Sequence, residues 1–93
     1  MEQHPMDVLL SDTVDKLMNH TGRTQQQTAD GMGMKRAALE RRLNGRAHWS
    51  AGDMADAAHF FGLTVAEISS GFAGLAEAKR LPPGKREIGQ TRI

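Results

Sequence analysis

Lys35, Arg36, Arg41, Arg42 and Arg46 fall within a short stretch in which only Glu40 is acidic. Arginine is permanently charged and offers a planar fork of donors, suited to phosphate oxygens or to the O6/N7 edge of guanine. The surrounding residues, from Thr24 to Gly45, read as two short helices that meet at Gly33. The second helix carries the charge. A basic helix after a tight turn suits the major groove of double-stranded DNA. A solvated surface is the plainer explanation of a charge run, and the elements around it must decide between the two.

Other chemistry is poorly represented. There is no cysteine to act as a nucleophile, close a disulfide or ligate zinc. No glycine-rich phosphate loop follows a strand, and no histidine sits at useful spacing from a carboxylate. His4, His20, His48 and His59 lack metal-ligand spacing and read as surface or cap residues. His48, close to the basic stretch, could touch a phosphate when protonated. An enzyme, a metal site, a cofactor and a small-molecule ligand are therefore not expected.

The elements that must position the arginines follow from apolar spacing and caps. The first helix runs from about Asp7 to His20, with Leu10, Val14, Leu17 and Met18 on one face and Gly22 as its stop. Thr24 and Gln27 form a capping box that opens the second helix. Ala29 and Met32 point inward; Gly31 weakens this helix and Gly33 ends it. The third helix runs from about Lys35 to Asn44, followed by Gly45. Leu39 and Leu43 anchor its inner side, leaving Ala37, Glu40, Arg41 and Asn44 broadly opposite. Ser50 with Asp53 opens the fourth helix, with Trp49 and Met54 as a hydrophobic staple. Thr64 with Glu67 opens a fifth, and Val65, Ile68, Phe72 and Leu75 continue the inner stripe. Gly71 and Gly74 weaken that helix, and Pro82-Pro83 stops anything that reaches it.

The chain has 93 residues, enough for one small all-α domain with a modest core. Three phenylalanines, one tryptophan and no tyrosine, among many alanines and methionines, favour helices over strands. The organisation expected is a flexible N-terminus over 1–6, a domain over 7–78 and a basic, flexible tail over 79–93. The net charge of +1 conceals a division: residues 1–34 carry −3, 35–46 carry +4, 47–78 carry −4 and 79–93 carry +4. Such a division is an electrostatic footprint. No apolar run is long enough to span a membrane, and the N-terminus does not read as a signal peptide, so a cytoplasmic protein is expected.

The ordered set of Leu17 and Gly22, then T-Q-Q-Q-T-A, M-G-M, A-L-E-R-R-L-N-G and F-F-G-L-T-V-A-E-I resembles the DNA-binding domain of lambda-repressor-like proteins. These are the phage repressor/Cro, or XRE-type, helix-turn-helix family. The resemblance covers roughly residues 14–68 and implies a compact five-helix fold with the helix-turn-helix at helices two and three. It implies that Gln25 holds a DNA phosphate at a helix N-terminus. It implies that Lys35, Arg36 and Ala37 open the recognition helix, that Arg41 faces the groove, and that Asn44 and Arg46 grip the backbone. Arg36 and Arg41 are the expected base readers. The sequence departs from the family at Thr28, in place of the usual leucine, at Gly31, in place of a helix former, and at Arg42, where an aliphatic residue is common. Arg42 is expected either to reach a DNA phosphate or to pair with a carboxylate.

The resemblance implies a small phage or bacterial repressor that acts by occluding its operator. It also implies a homodimer through helix five and the C-terminal segment, for which Phe72 and Leu75 are the candidate contacts; the alternative is that they close the core over helix one. The antitoxin of a toxin–antitoxin pair and a recombination directionality or DNA-architecture factor would share the fold. A protein-only interaction module is the rival outside DNA binding.

Overall fold

The computed structural model describes residues 4–84, and within them the chain forms six helices and no strand. These are α1 (Pro5–Thr21), α2 (Gln25–Met32), α3 (Arg36–Leu43), α4 (Ala51–Phe60), α5 (Val65–Ile68) and α6 (Gly71–Glu77). The all-α class is as the sequence predicts, but the expected fifth helix is two.

Local signals set most of the boundaries. All three capping boxes form. Thr24 Oγ1 accepts from the Gln27 N–H at 3.0 Å, and Gln27 Oε1 accepts from the Thr24 N–H at 2.9 Å. Ser50 and Asp53, and Thr64 and Glu67, repeat the reciprocal pair. Removing such a cap typically costs about 1 kcal/mol. At the N-terminus, α1 begins at Pro5 rather than at Asp7. His4 Nδ1 accepts from the Met6 N–H at 3.1 Å, and proline is well suited to the first helical position. The expected flexible start over residues 1–6 is thus helical from Pro5, while residues 1–3 lie outside the described residues.

The division between α5 and α6 has a local cause. Ser69 Oγ donates to the Val65 carbonyl and Ser70 Oγ to the Glu67 carbonyl, each at 2.7 Å. Side chains that bond backbone in this way compete with helix continuation. Gly71 then adopts φ +84°, and the chain turns so that α6 packs along α1. A Cβ at Gly71 would stand 3.2 Å from Leu9 Cδ1, in a backbone conformation that suits glycine alone.

The core forms around α1. Leu10, Val14 and Leu17 have no exposure, and they meet Ala29 of α2, Leu39 of α3, Ala57 and Ala58 of α4, Ile68 of α5 and Leu75 of α6. Among the described residues no buried side-chain polar atom lacks a hydrogen-bond partner.

The beginning of the expected tail is packed. Arg80 pairs with Glu67, Leu81 lies against the core, and His20 Nε2 is 2.8 Å from the Pro82 carbonyl oxygen. Gly84 is buried. The flexible tail expected from residue 79 therefore does not begin there. Residues 85–93, with most of its basic charge, lie outside the described residues.

Candidate nucleic-acid interface

α2 and α3 form a helix-turn-helix pair. Gly33 takes φ +73°, its N–H bonds the Asp30 carbonyl at 3.1 Å, and the Met34 N–H bonds that of Ala29 at 3.0 Å. This closure satisfies two of the last carbonyls of α2, and only three residues separate α2 from α3. Lys35 is the residue just before α3, and its side chain makes no cap.

α3 is sided as Leu39 and Leu43 imply. Leu39 is fully buried and Leu43 half-buried, whereas Lys35, Arg36, Ala37, Glu40, Arg41, Asn44 and Arg46 are exposed. Among the described residues Lys35, Arg36, Arg41 and Arg46 enter no ion pair. Four cations are thus exposed on one short segment.

Arg42 is different. Its Nε donates to Asp53 Oδ2 at 2.8 Å and its Nη1 to the Ala38 carbonyl at 2.8 Å. Asp53 Oδ2 also accepts from the Ser50 N–H at 2.9 Å, so one carboxylate caps α4 and holds α3. Burial pushes the Asp53 carboxyl up, but the Arg42 and Ser50 hydrogen bonds outweigh it and hold the group below the usual range. Of the two expectations for Arg42, the structure shows the carboxylate pair. It is withdrawn from the DNA-backbone contacts because its head group is already engaged.

A relay of hydrogen bonds fixes the far end of α3 to α1. Ser11 Oγ donates to the Arg42 carbonyl at 2.7 Å and accepts from Trp49 Nε1 at 3.0 Å. Asp7 Oδ1 accepts from the Trp49 N–H at 2.8 Å, and Asp7 Oδ2 lies 2.6 Å from His48 Nδ1. The His48 hydrogen bond first, then the Trp49 N–H, holds the Asp7 carboxyl below its ordinary range. Sequence reasoning missed this network. It found no acidic partner for His48, since Asp7 lies on a distant helix, and it treated Trp49 as a staple. Trp49 is buried among the core residues, with its indole N–H committed to Ser11.

At the start of α2, Gln25 is half-buried. The cap takes the Gln27 N–H, and the Thr28 N–H bonds the Thr24 carbonyl at 3.0 Å. The backbone N–H groups of Gln25 and Gln26 precede the first intrahelical bond and have no acceptor within the helix.

Two departures from the family pattern gain reasons. Thr28 is fully buried, and its Oγ1 donates to the Thr24 carbonyl at 2.8 Å, so it packs like an aliphatic residue with its hydroxyl satisfied. Gly31 makes room for Phe60: a Cβ there would stand 2.1 Å from the ring carbon Cδ1. The same ring packs edge-on against Phe61, with centroids 5.0 Å apart.

The two candidate dimer contacts separate. Leu75 is 1% exposed and belongs to the core, so it is withdrawn as a contact with a second copy. Phe72 is half-buried, its ring edge-on to His20 at 5.9 Å. Among the described residues no helix is long and apolar enough to cross a membrane.

No protein-family model matches the sequence, and no curated protein matches it. The fold is found among solved structures. The crystal structure of the clp gene regulator ClgR from Corynebacterium glutamicum is similar with a TM-score of 0.66 and 15% identity, covering 97% of this chain and 93% of that one. The likeness runs over nearly the whole of both chains and is one of all-helical architecture.

Proposed function

We propose that this chain is a sequence-specific double-stranded DNA-binding protein that regulates transcription. α3 is its recognition helix, in the manner of lambda-repressor-like, Cro-type repressors that occlude an operator. The observation that carries this reading is the group of exposed cations Lys35, Arg36, Arg41 and Arg46 on and beside α3, which enter no ion pair among the described residues. Of the nearby carboxylates in the segments that flank α3, Asp53 is engaged by Arg42 and Asp7 by His48. A fold shared with a gene regulator supports it. In this reading Arg36 and Arg41 contact bases, with Lys35 and Ala37 beside them. Gln25, Asn44 and Arg46 hold the backbone, and a dimer through Phe72 and the C-terminal segment would read half-sites about 34 Å apart. No catalytic role is proposed.

Selection of binding sites from random duplexes, followed by substitution, tests it. Arg36→Ala or Arg41→Ala is expected to cost about 1–3 kcal/mol on the selected site and to relax its sequence. Equal losses on selected and random DNA would remove both from the base readers. Arg46→Ala should weaken all sequences together and flatten the salt dependence, whereas Gln25→Ala, which removes no charge, should weaken all sequences together and leave the slope unchanged. A chain that shows no salt-dependent affinity for any duplex is not a DNA-binding protein.

A further inference from the structure

Arg23 lies just before α2 and is exposed, and among the described residues it has no carboxylate partner. It is nonetheless held: its guanidinium carbon stands 5.3 Å from the centroid of the Phe60 ring. A cation over an aromatic face is attracted by the ring quadrupole, and the donors along its edge remain available. The ring is itself placed at some expense. A Cβ at Gly31 would lie 2.1 Å and 2.3 Å from two carbons of that ring, so α2 carries an interior glycine where Phe60 presses against it. α2 and α4 pack together, and the ring at their junction lies under the guanidinium of Arg23, the residue that precedes Thr24, the cap of α2. Gln25, assigned above to a phosphate, follows immediately.

We infer that Arg23 is a further contact to the DNA backbone, and that Phe60, seated in the space left by Gly31, is the residue that positions it. The ligand is a phosphate of the duplex at the N-terminal end of α2, and the inference rests on the DNA-binding reading above. An arginine whose aliphatic stem merely covers Phe60 would protect the ring equally well, but it would release no counterion when DNA binds.

The salt dependence of binding to a random-sequence duplex separates these roles and needs no knowledge of the operator. The full chain is compared with Arg23→Gln, Phe60→Leu and Arg46→Ala, each shown to be folded by thermal unfolding. Arg23→Gln should flatten the plot of log affinity against log salt by about 0.9, one phosphate contact, and weaken binding roughly five- to tenfold at 0.1 M salt. Phe60→Leu keeps the charge but loses the platform, and its affinity should fall between those of Arg23→Gln and the native chain. A folded Arg23→Gln protein with the native slope overturns the contact, and native affinity in Phe60→Leu overturns the positioning. If Arg46→Ala flattens the slope while Arg23→Gln does not, the DNA reading stands and this inference falls. If the native chain shows no salt-dependent binding, both fall.

Discussion

Arg41 and Arg42 are adjacent on one short helix and do opposite things. Arg41 extends into solvent with no ion pair among the described residues, while Arg42 lies along the helix against Asp53 and the Ala38 carbonyl. One step along a helix is a rotation of about 100°, enough to carry a side chain from an open face to the seam with the next element. The charge of the segment is thus two populations. Lys35, Arg36, Arg41 and Arg46 are available to a partner; Arg42 is a strut that ties α3 to the N-terminus of α4. A large effect on stability should follow from disturbing the strut, and almost none from disturbing the others.

The strongest way to break this division is at Asp53. Its carboxylate accepts from Arg42 and from the Ser50 N–H through one oxygen. Asp53→Ala removes the capping box of α4 and leaves Arg42 without its carboxylate, with a side chain only 22% exposed. Losing a cap and a charge-assisted hydrogen bond together should destabilise the domain by about 2–3 kcal/mol. Arg36→Ala and Arg41→Ala should fall within the ±0.5 kcal/mol or so of ordinary surface substitutions. Denaturant unfolding of the three variants checks this. Similar losses in all three would mean that the exposed arginines have structural partners, and the comparison would collapse.

A second contrast is between two glycines of the helix-turn-helix. Gly33 is needed for its backbone, at φ +73°, with open space where a Cβ would go. Gly31 sits inside α2 and is needed for its missing side chain, because the Phe60 ring occupies that space. Helix propensity alone predicts that Gly31→Ala stabilises by nearly 1 kcal/mol. The collision predicts the reverse, a loss of about 1–2 kcal/mol, since the ring must leave its packing. The two can be separated in a Phe60→Ala background, where Gly31→Ala should become stabilising. If Gly31→Ala stabilises the native chain, the ring moves aside freely and is no fixed platform.

These cases show what the sequence could and could not reveal. The three capping boxes were readable because each joins residues three apart, where spacing and geometry are the same information. The buried side of α3 was readable from Leu39 and Leu43 for the same reason. Gly31 and Gly71 were visible only as weak points, because their purpose lies on other helices, in Phe60 and Leu9. Arg42 was recognised as needing a phosphate or a carboxylate, but nothing local pointed to Asp53. The relay from His48 through Asp7, Trp49 and Ser11 to the Arg42 carbonyl joins three separate segments and left no periodic trace. Leu75 was ambiguous because a stripe continuing past a helix break does not reveal whether it faces its own core or another copy.

The smallest effects, in acid, sharpen the difference between enclosed and open ion pairs. Asp7, Asp53 and Glu67 all have folded-state pKa values below their ordinary ones, Glu67 at about 2 under the influence of Arg80 and then the Thr64 N–H. The unfolded chain therefore takes up protons at a higher pH than the folded one. The resulting stabilisation is complete above the unfolded values near pH 4 and is lost as pH falls through the lower folded values, about 2 for Glu67. The thermal midpoint should decline below about pH 4, and Asp53→Asn or Glu67→Gln should each reduce the decline. Salt distinguishes them. The Arg80 side chain is 54% exposed, whereas both partners of the Arg42–Asp53 pair are largely enclosed. Raising the ionic strength should erase most of the Glu67 contribution and leave most of that of Asp53. If both contributions vanish together in salt, Arg42 is no more sheltered than Arg80 and rejoins the exposed cations of α3.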